Sequence, residues 1–219
     1  MTDVDVNDLA GLPPHQVAAV LVDFQNDFCH PDACHGRAPT NTANAATARR
    51  ANDFAGRAAR LGMHVIYSRQ VLSLARLTPL QRQREDAETG LCVEGSWGAE
   101  LFVDPVPGSA IVRKDRFDIW QSREFIDRLD AWGIQGLIIG GVELRCCVLF
   151  AVLGADERGY RCVVPHDLVS GQDTDGAIAP IRQYLTVVYG APPTAEDILT
   201  AVMQTGPKAG QTPPSSDVP

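Results

Sequence analysis

Gly136-Leu137-Ile138-Ile139-Gly140-Gly141-Val142-Glu143-Leu144-Arg145-Cys146-Cys147-Val148-Leu149-Phe150-Ala151-Val152-Leu153 reads as a strand, a turn and a helix in one line. An apolar run enters a glycine pair, passes two cysteines, and becomes a second apolar run that closes as a helix at Gly159. Both cysteines therefore fall at or just inside a helix N-terminus, where unpaired backbone N–H groups and the positive end of the helix dipole converge. A thiol so placed is biased toward thiolate, the form that attacks carbonyls. Free cysteine also packs as a small hydrophobe, and neighbouring helical positions point about 100° apart. One cysteine is thus expected in the core and the other toward a ligand. Periodicity leaves open which.

Outward from that segment, strands and helices alternate. Val17 to Asp23 is a continuous apolar run ending in an acid, which suits a strand buried on both faces of a parallel sheet. Apolar residues at positions 43, 46, 51, 54, 55 and 58 give a helix from Thr42 to Leu61, stopped by Gly62. His64 to Ser68 is a second strand, and Leu72 to Gly98 is an irregular excursion over the active edge with a short helix around Pro79 to Glu88. Ala110 to Lys114 is the third strand, Ser122 caps a helix Arg123 to Trp132, and Gln135 to Ile139 is the fourth strand. Arg161 to Pro165 is the fifth strand. Helices from about Asp175 to Val188 and from Ala195 to Met203, the latter capped by Thr194, follow it, with a proline-disturbed edge strand near Ala191.

This alternation predicts one α/β domain over residues 11–203: a mainly parallel, doubly wound sheet of five or six strands with helices on both faces. The first ten residues and the tail from residue 204, rich in Pro, Ser and Gly, read as flexible termini. A length of 219 residues suits a single core, and a net charge of −8 argues against a nucleic-acid surface. No apolar run approaches the roughly 20 residues needed to span a bilayer. The N-terminal segment carries Asp3 and Asp5 and no base, unlike a secretory leader, so a cytoplasmic location is expected. The six cysteines (29, 34, 92, 146, 147 and 162) are then expected as free thiols.

In such sheets ligands sit beyond the C-terminal ends of the strands. Asp23, Lys114 and the Cys146-Cys147 pair each close a different strand. A carboxylate, an ammonium and a thiol in one cleft make a coherent nucleophilic set. The acid takes the thiol proton, the lysine stabilises both anions, and turn amides receive a substrate oxygen as it becomes an oxyanion. Acyl transfer to sulfur and hydrolysis by water follow. Taken singly, an acid closing a strand is usually a turn residue and a lysine at a strand end mostly solvated surface; the combination carries the reading.

The chain resembles the isochorismatase-like cysteine hydrolases, the superfamily of nicotinamidases, N-carbamoylsarcosine amidohydrolases and ureide amidases. Leu21-Val22-Asp23-Phe24-Gln25-Asn26-Asp27-Phe28 is similar to its first-strand motif, and Val112-Arg113-Lys114 to the segment supplying its lysine. Gly141-Val142, then Cys147-Val148, Ala155-Asp156 and Gly159-Tyr160 resemble its nucleophile segment. The resemblance implies that Cys147 is the nucleophile, Asp23 the general base and Lys114 their charge partner. It also implies a cis peptide between Val142 and Glu143 and an oxyanion site at the Glu143 and Cys147 amides. Gln25, Phe28 and Trp120 are expected in the pocket wall from position. The chain departs from the pattern at Leu144-Arg145, where a Thr-Asn or Thr-Asp pair is usual, and at Phe117-Asp118-Ile119-Trp120.

Nicotinamidases hold a metal through an Asp and two His beyond the second strand; here Ser68-Arg69-Gln70-Val71-Leu72 offers neither. Cys29-His30-Pro31-Asp32-Ala33-Cys34-His35 collects four zinc-type ligands, but one short loop must bend sharply to wrap a tetrahedron. No metal and no cofactor are expected. The leading expectation is an amidohydrolase acting on a small amide, ureide or carbamoyl compound. The alternatives are an isochorismatase-type vinyl-ether hydrolase, in which the acid donates a proton, and an inactive binding protein on the same fold. The expected partners are a small-molecule substrate and further copies of the chain, with Trp97 and Phe102 available to an interface; neither nucleic acid nor membrane is expected.

Overall fold

A computed structural model describes Leu9 and residues 11–33, 38–83, 90–171 and 176–205. The strands are β1 (Val17–Val22), β2 (His64–Gln70), β3 (Ala110–Lys114), β4 (Gly136–Gly141) and β5 (Arg161–Val163). They form one sheet in the order β3-β2-β1-β4-β5, every pairing parallel. The helices are α1 (Asn26–Cys29), α2 (Ala38–Arg60), α3 (Pro79–Arg82), α4 (Arg123–Ala131), α5 (Leu149–Asp156), α6 (Ile178–Tyr189) and α7 (Ala195–Thr205). Among the described residues no helix is long and apolar enough to cross a membrane.

β1 lies at the centre because all six of its residues are apolar and can be buried on both faces. Val17, Ala19 and Leu21 join the core under α2 and α7, with Phe54, Ile198 and Leu199. Ala18, Val20 and Val22 join the core on the other face, under α4 and α5, with Phe125, Leu129 and Val152. The chain leaves β1 toward β2 on one side and returns to β4 on the other, so the sheet order reverses between β1 and β4. That reversal opens a cleft at their carboxyl ends.

The structure shifts several boundaries for identifiable reasons. α2 begins four residues before the expected Thr42; of its expected apolar face Ala51, Phe54, Ala55 and Ala58 are buried, but in the first turns Ala43 and Ala46 face solvent while Asn41, Asn44, Ala45 and Ala48 are buried. Two asparagines turn inward because they satisfy carbonyls of the α1 segment, Asn41 Nδ2 donating to His30 O at 2.9 Å and Asn44 Nδ2 to Phe28 O at 2.9 Å. β2 runs two residues past Ser68 to Gln70, and β4 runs through the glycine pair to Gly141. Ser122 occupies the first position before α4 without a side-chain cap; Asp118 caps the preceding turn instead, accepting from Trp120 N–H at 2.9 Å. Thr194 does cap α7, accepting from Asp197 N–H at 3.1 Å.

No strand forms near Ala191 among the described residues. Pro192 and Pro193 have no N–H to give a ladder. The segment meets the chain beyond β5 through His166 N–H donating to Pro193 O at 3.1 Å. The sheet therefore has five strands. The short helix expected to Glu88 is seen as α3, ending at Arg82, and residues 84–89 lie outside the described set, as do 172–175 at the expected start of α6. The flexible termini expected at 1–10 and 204–219 also fall almost wholly outside it.

Candidate active site

Each site residue is delivered by the end of a strand. Asp23 follows β1 directly and takes a left-handed backbone, φ 56°, a conformation uncommon for a residue with a side chain. It is completely buried. Ser68 on β2 grips it from both ends: Ser68 Oγ donates to Asp23 Oδ1 at 2.7 Å and accepts from Asp23 N–H at 3.2 Å. Oδ2 is left to face Lys114, whose Nζ lies 2.6 Å away. Lys114 ends β3, two strands from β1, so its long side chain spans the end of β2 to reach the acid.

Lys114 is held in this reach. Its ammonium donates to Arg116 O at 2.7 Å and to Cys147 Sγ at 3.3 Å. Burial works against its charge, but the Asp23 carboxylate and the Cys147 sulfur more than offset that, and its pKa is raised. It stays protonated.

Cys147 is carried by the turn after β4. Gly141 makes the turn feasible: its φ is +145°, and a side chain there would collide with the backbone of Val22 at the end of β1. The Val142–Glu143 peptide is cis. Residues Leu144–Val148 then form a wide π-type turn, with Val148 N–H donating to Glu143 O at 3.3 Å, before α5 begins. Single π turns recur at functional sites because they re-aim one side chain. Here the re-aimed side chain is Cys147, which is buried, whereas Cys146 is partly exposed. The cysteine that meets the charged pair is thus the more buried of the two.

The electrostatics differ from the thiolate expected at a helix N-terminus. Burial, and next the Asp23 carboxylate, push the Cys147 thiol well above its ordinary pKa, with Lys114 pulling the other way. At rest the Lys114 ammonium thus faces a thiol that holds its proton. Cys146 is also raised, by burial and by the Glu143 carboxylate. Leu144, in the place of the usual threonine, is buried in the core, and Arg145 Nε lies 3.7 Å from Glu143 Oε2.

The three residues expected in the pocket wall are held as follows. Gln25 is fully buried and spends its carboxamide on backbone: Nε2 donates to Gln70 O and Ala99 O, each at 2.8 Å, and Oε1 accepts from Gln70 N–H at 2.8 Å. Phe28 is buried in the α2-side core. Trp120 packs against α5, its indole N–H donating to Ala151 O at 3.0 Å and its ring lying over Gly154. Sequence reading passed over two residues. Ser68 orients the acid, and Gln70 Oε1 accepts from the Cys147 thiol at 3.6 Å. Their signal was present in the segment Ser68-Arg69-Gln70, which stood out only for lacking metal ligands.

Among the described residues no group of three or more His, Cys, Asp or Glu side chains is placed to hold a metal. Cys29 is buried in the core, His30 packs edge-on against Trp97 at 4.8 Å between ring centroids, and Cys34 and His35 lie outside the described residues. Among the described residues Cys29, Cys92, Cys146, Cys147 and Cys162 form no disulfide. Of the residues offered for an interface, Trp97 is about half exposed, while Phe102 packs onto the core with the Arg49 guanidinium 5.1 Å from its ring centre.

Residues 17–191 match the family model described as the isochorismatase domain. The streptothricin hydrolase of Streptomyces noursei is 35% identical over 81 residues, which make up 37% of this chain and 29% of that protein. The match thus spans less than a third of that curated relative. A cysteine hydrolase from Pseudomonas syringae pv. phaseolicola 1448A is similar in structure with a TM-score of 0.76 at 14% identity, covering 88% of this chain and 94% of the other. The N-carbamoylsarcosine amidase of Thermoplasma acidophilum gives 0.65 at 23% identity, covering 83% and 97%. At such identities the likeness is one of fold.

Proposed function

This chain belongs to the isochorismatase domain family, and from that premise we propose that it is a cysteine-dependent amidohydrolase, cleaving the C–N bond of a small amide, ureide or carbamoyl compound. One observation carries the reading: Cys147 Sγ, Lys114 Nζ and Asp23 Oδ2 form a buried chain with links of 3.3 and 2.6 Å. The likeness to a streptothricin hydrolase and an N-carbamoylsarcosine amidase supports bond cleavage of this kind.

The proposed cycle starts from the neutral thiol. With substrate in place, the Sγ proton passes to Asp23 and the sulfur pair attacks the carbonyl carbon. Lys114 stabilises the thiolate, and the amides of Glu143 and Cys147 receive the carbonyl oxygen as it gains charge. Protonated Asp23 gives its proton to the leaving nitrogen, the C–N bond breaks, and a thioester remains on Cys147. Water, deprotonated by Asp23, then attacks the thioester carbon, and the sulfur leaves and regains its proton. Assembly into a homodimer or tetramer in the cytoplasm belongs to the same proposal, with light scattering as the test of mass.

A raised thiol pKa favours one competing reading, vinyl-ether hydrolysis with Asp23 as proton donor and Cys147 a bystander. A panel of small amides and ureides assayed for ammonia release separates the two. The amidohydrolase releases ammonia from at least one, and Cys147→Ser abolishes it. Turnover that survives Cys147→Ala would overturn the thioester route.

A further inference from the structure

Asp23, Ser68, Lys114 and Cys147 are all buried, but Gln70, which joins them through Sγ, is only half-buried. It is therefore the partly exposed member of the group that touches the thiol. Its main chain is held on both sides by one carboxamide, that of Gln25, which also ties down Ala99 O. With its backbone held at both polar groups, the side chain of Gln70 starts from a determined point, and Oε1 reaches Cys147 Sγ at 3.6 Å.

We propose that Gln70 selects the substrate, pairing its carboxamide with an uncharged carboxamide or ureido group at the reacting end and disfavouring a carboxylate there; Gln25 positions it. The inference rests on the reading of Cys147 as the nucleophile. Near Sγ the charges of Asp23 and Lys114 oppose each other across 2.6 Å and the thiol is neutral, so Gln70 adds a neutral polar head. A side-chain carboxamide carries an acceptor oxygen and an N–H donor in one plane. A substrate carboxamide or ureide presents the complementary C=O and N–H and can satisfy both. A carboxylate is acceptor-only: it can accept from Nε2 but brings no donor for Oε1, which is left unpaired. Sites that hydrogen-bond a substrate group discriminate strongly against analogues that leave their own polar atoms unpaired. Once Sγ has given its proton to Asp23, Oε1 is released from the thiol and is available to the substrate N–H.

Two alkylating probes of nearly equal size test this on the full chain: iodoacetamide, which carries a carboxamide, and iodoacetate, which carries a carboxylate. Each forms an S–C bond at Cys147 with loss of iodide, and the modified peptide distinguishes Cys147 from Cys146. In Gln70→Leu the ratio of amide to acid rates at Cys147 is expected to fall about fivefold or more, the order of one net hydrogen bond. Gln70→Glu, close in shape, is expected to move the pH profile of Cys147 alkylation upward, because a carboxylate beside Sγ holds the proton on. Gln25→Leu is expected to lower the ratio in the same direction without touching the sulfur. An unchanged ratio in Gln70→Leu, or an unmoved profile in a folded Gln70→Glu, would overturn the proposal. Ammonia release lost in Cys147→Ser alongside an unchanged ratio sinks the role of Gln70 and leaves the amidohydrolase standing. The converse pattern does the opposite.

Discussion

The Lys114 ammonium lies 2.6 Å from Asp23 Oδ2, and neither side chain has exposed surface. Such a pair is held together by mutual need, since each charge removed from water is tolerable only beside the other. Replacing one partner leaves the other charge buried and alone, at about 3–5 kcal/mol. Lys114→Met and Asp23→Asn should therefore each lower stability to urea by that order, while the double variant recovers part of the loss. A double variant no more stable than the weaker single one would show that the pair is not the unit it resembles.

Turnover should separate the adjacent cysteines. Cys147→Ser, Asp23→Asn and Lys114→Met are each expected to reduce ammonia release about a thousandfold or more, and double variants should lose little beyond the singles, because the groups act as one unit. Cys146→Ser should keep most of the activity: its thiol is raised by burial and by Glu143, and it has no link to Lys114 like that of Cys147. The opposite result would place the nucleophile one residue earlier in the turn.

Alkylation against pH should reveal the raised Cys147 thiol directly. Free cysteine titrates near about 8.5; burial and the Asp23 carboxylate move Cys147 above that, so its reaction with iodoacetamide should still be climbing where an ordinary thiol has levelled off. Removing the negative charge in Asp23→Asn lowers the thiol pKa and should speed alkylation at pH 8, although turnover is lost. Removing the positive charge in Lys114→Met acts the other way. The same shift has a stability consequence. A thiol whose folded pKa exceeds its unfolded value contributes fully below the unfolded pKa and loses that contribution as pH rises through the folded one. Stability should fall from about pH 8.5 upward, and the buried thiols Cys29 and Cys92, also raised, add to it.

The fold was legible where chemistry follows period. The six apolar residues of β1, the glycine pair after β4 and the alternation of elements led to the parallel sheet, and Asp23, Lys114 and Cys147 do converge at its C-terminal edge. What escaped reading depends on polar groups whose partners lie far along the chain. Asn41 and Asn44 face inward because carbonyls of the α1 segment await them. Gln25 belongs to the backbone of Gln70, 45 residues on. The thiol's protonation escaped for the same reason, since the helix-terminus argument concerns local dipoles and burial by distant segments outweighed it.

Gly98 links the active edge to the excursion above it. Asp27 Oδ2 accepts from Cys92 N–H at 2.6 Å, and Cys92 takes a left-handed backbone, φ 57°. Gly98 sits against that carboxylate so closely that a β-carbon would overlap Asp27 Oδ2. The neighbouring loop is tied to the same motif, Asn26 Nδ2 donating to Trp97 O at 2.9 Å and Gln25 Nε2 to Ala99 O at 2.8 Å. Gly98→Ala must therefore displace either the carboxylate from Cys92 or the loop from Gln25. Overpacking of this kind costs about 1–3 kcal/mol, and that loss should appear as a lower urea midpoint with an unchanged slope. Because Gln25 also holds Gln70, alkylation of Cys147 should change with it. Gly154→Ala gives the comparison: its β-carbon would strike the Trp120 indole, on the core side of α5. A similar stability loss is expected there with a smaller change in Cys147 reactivity. Equal changes in reactivity would mean that general loosening, and not the Gln25 tie, carries the effect of Gly98→Ala.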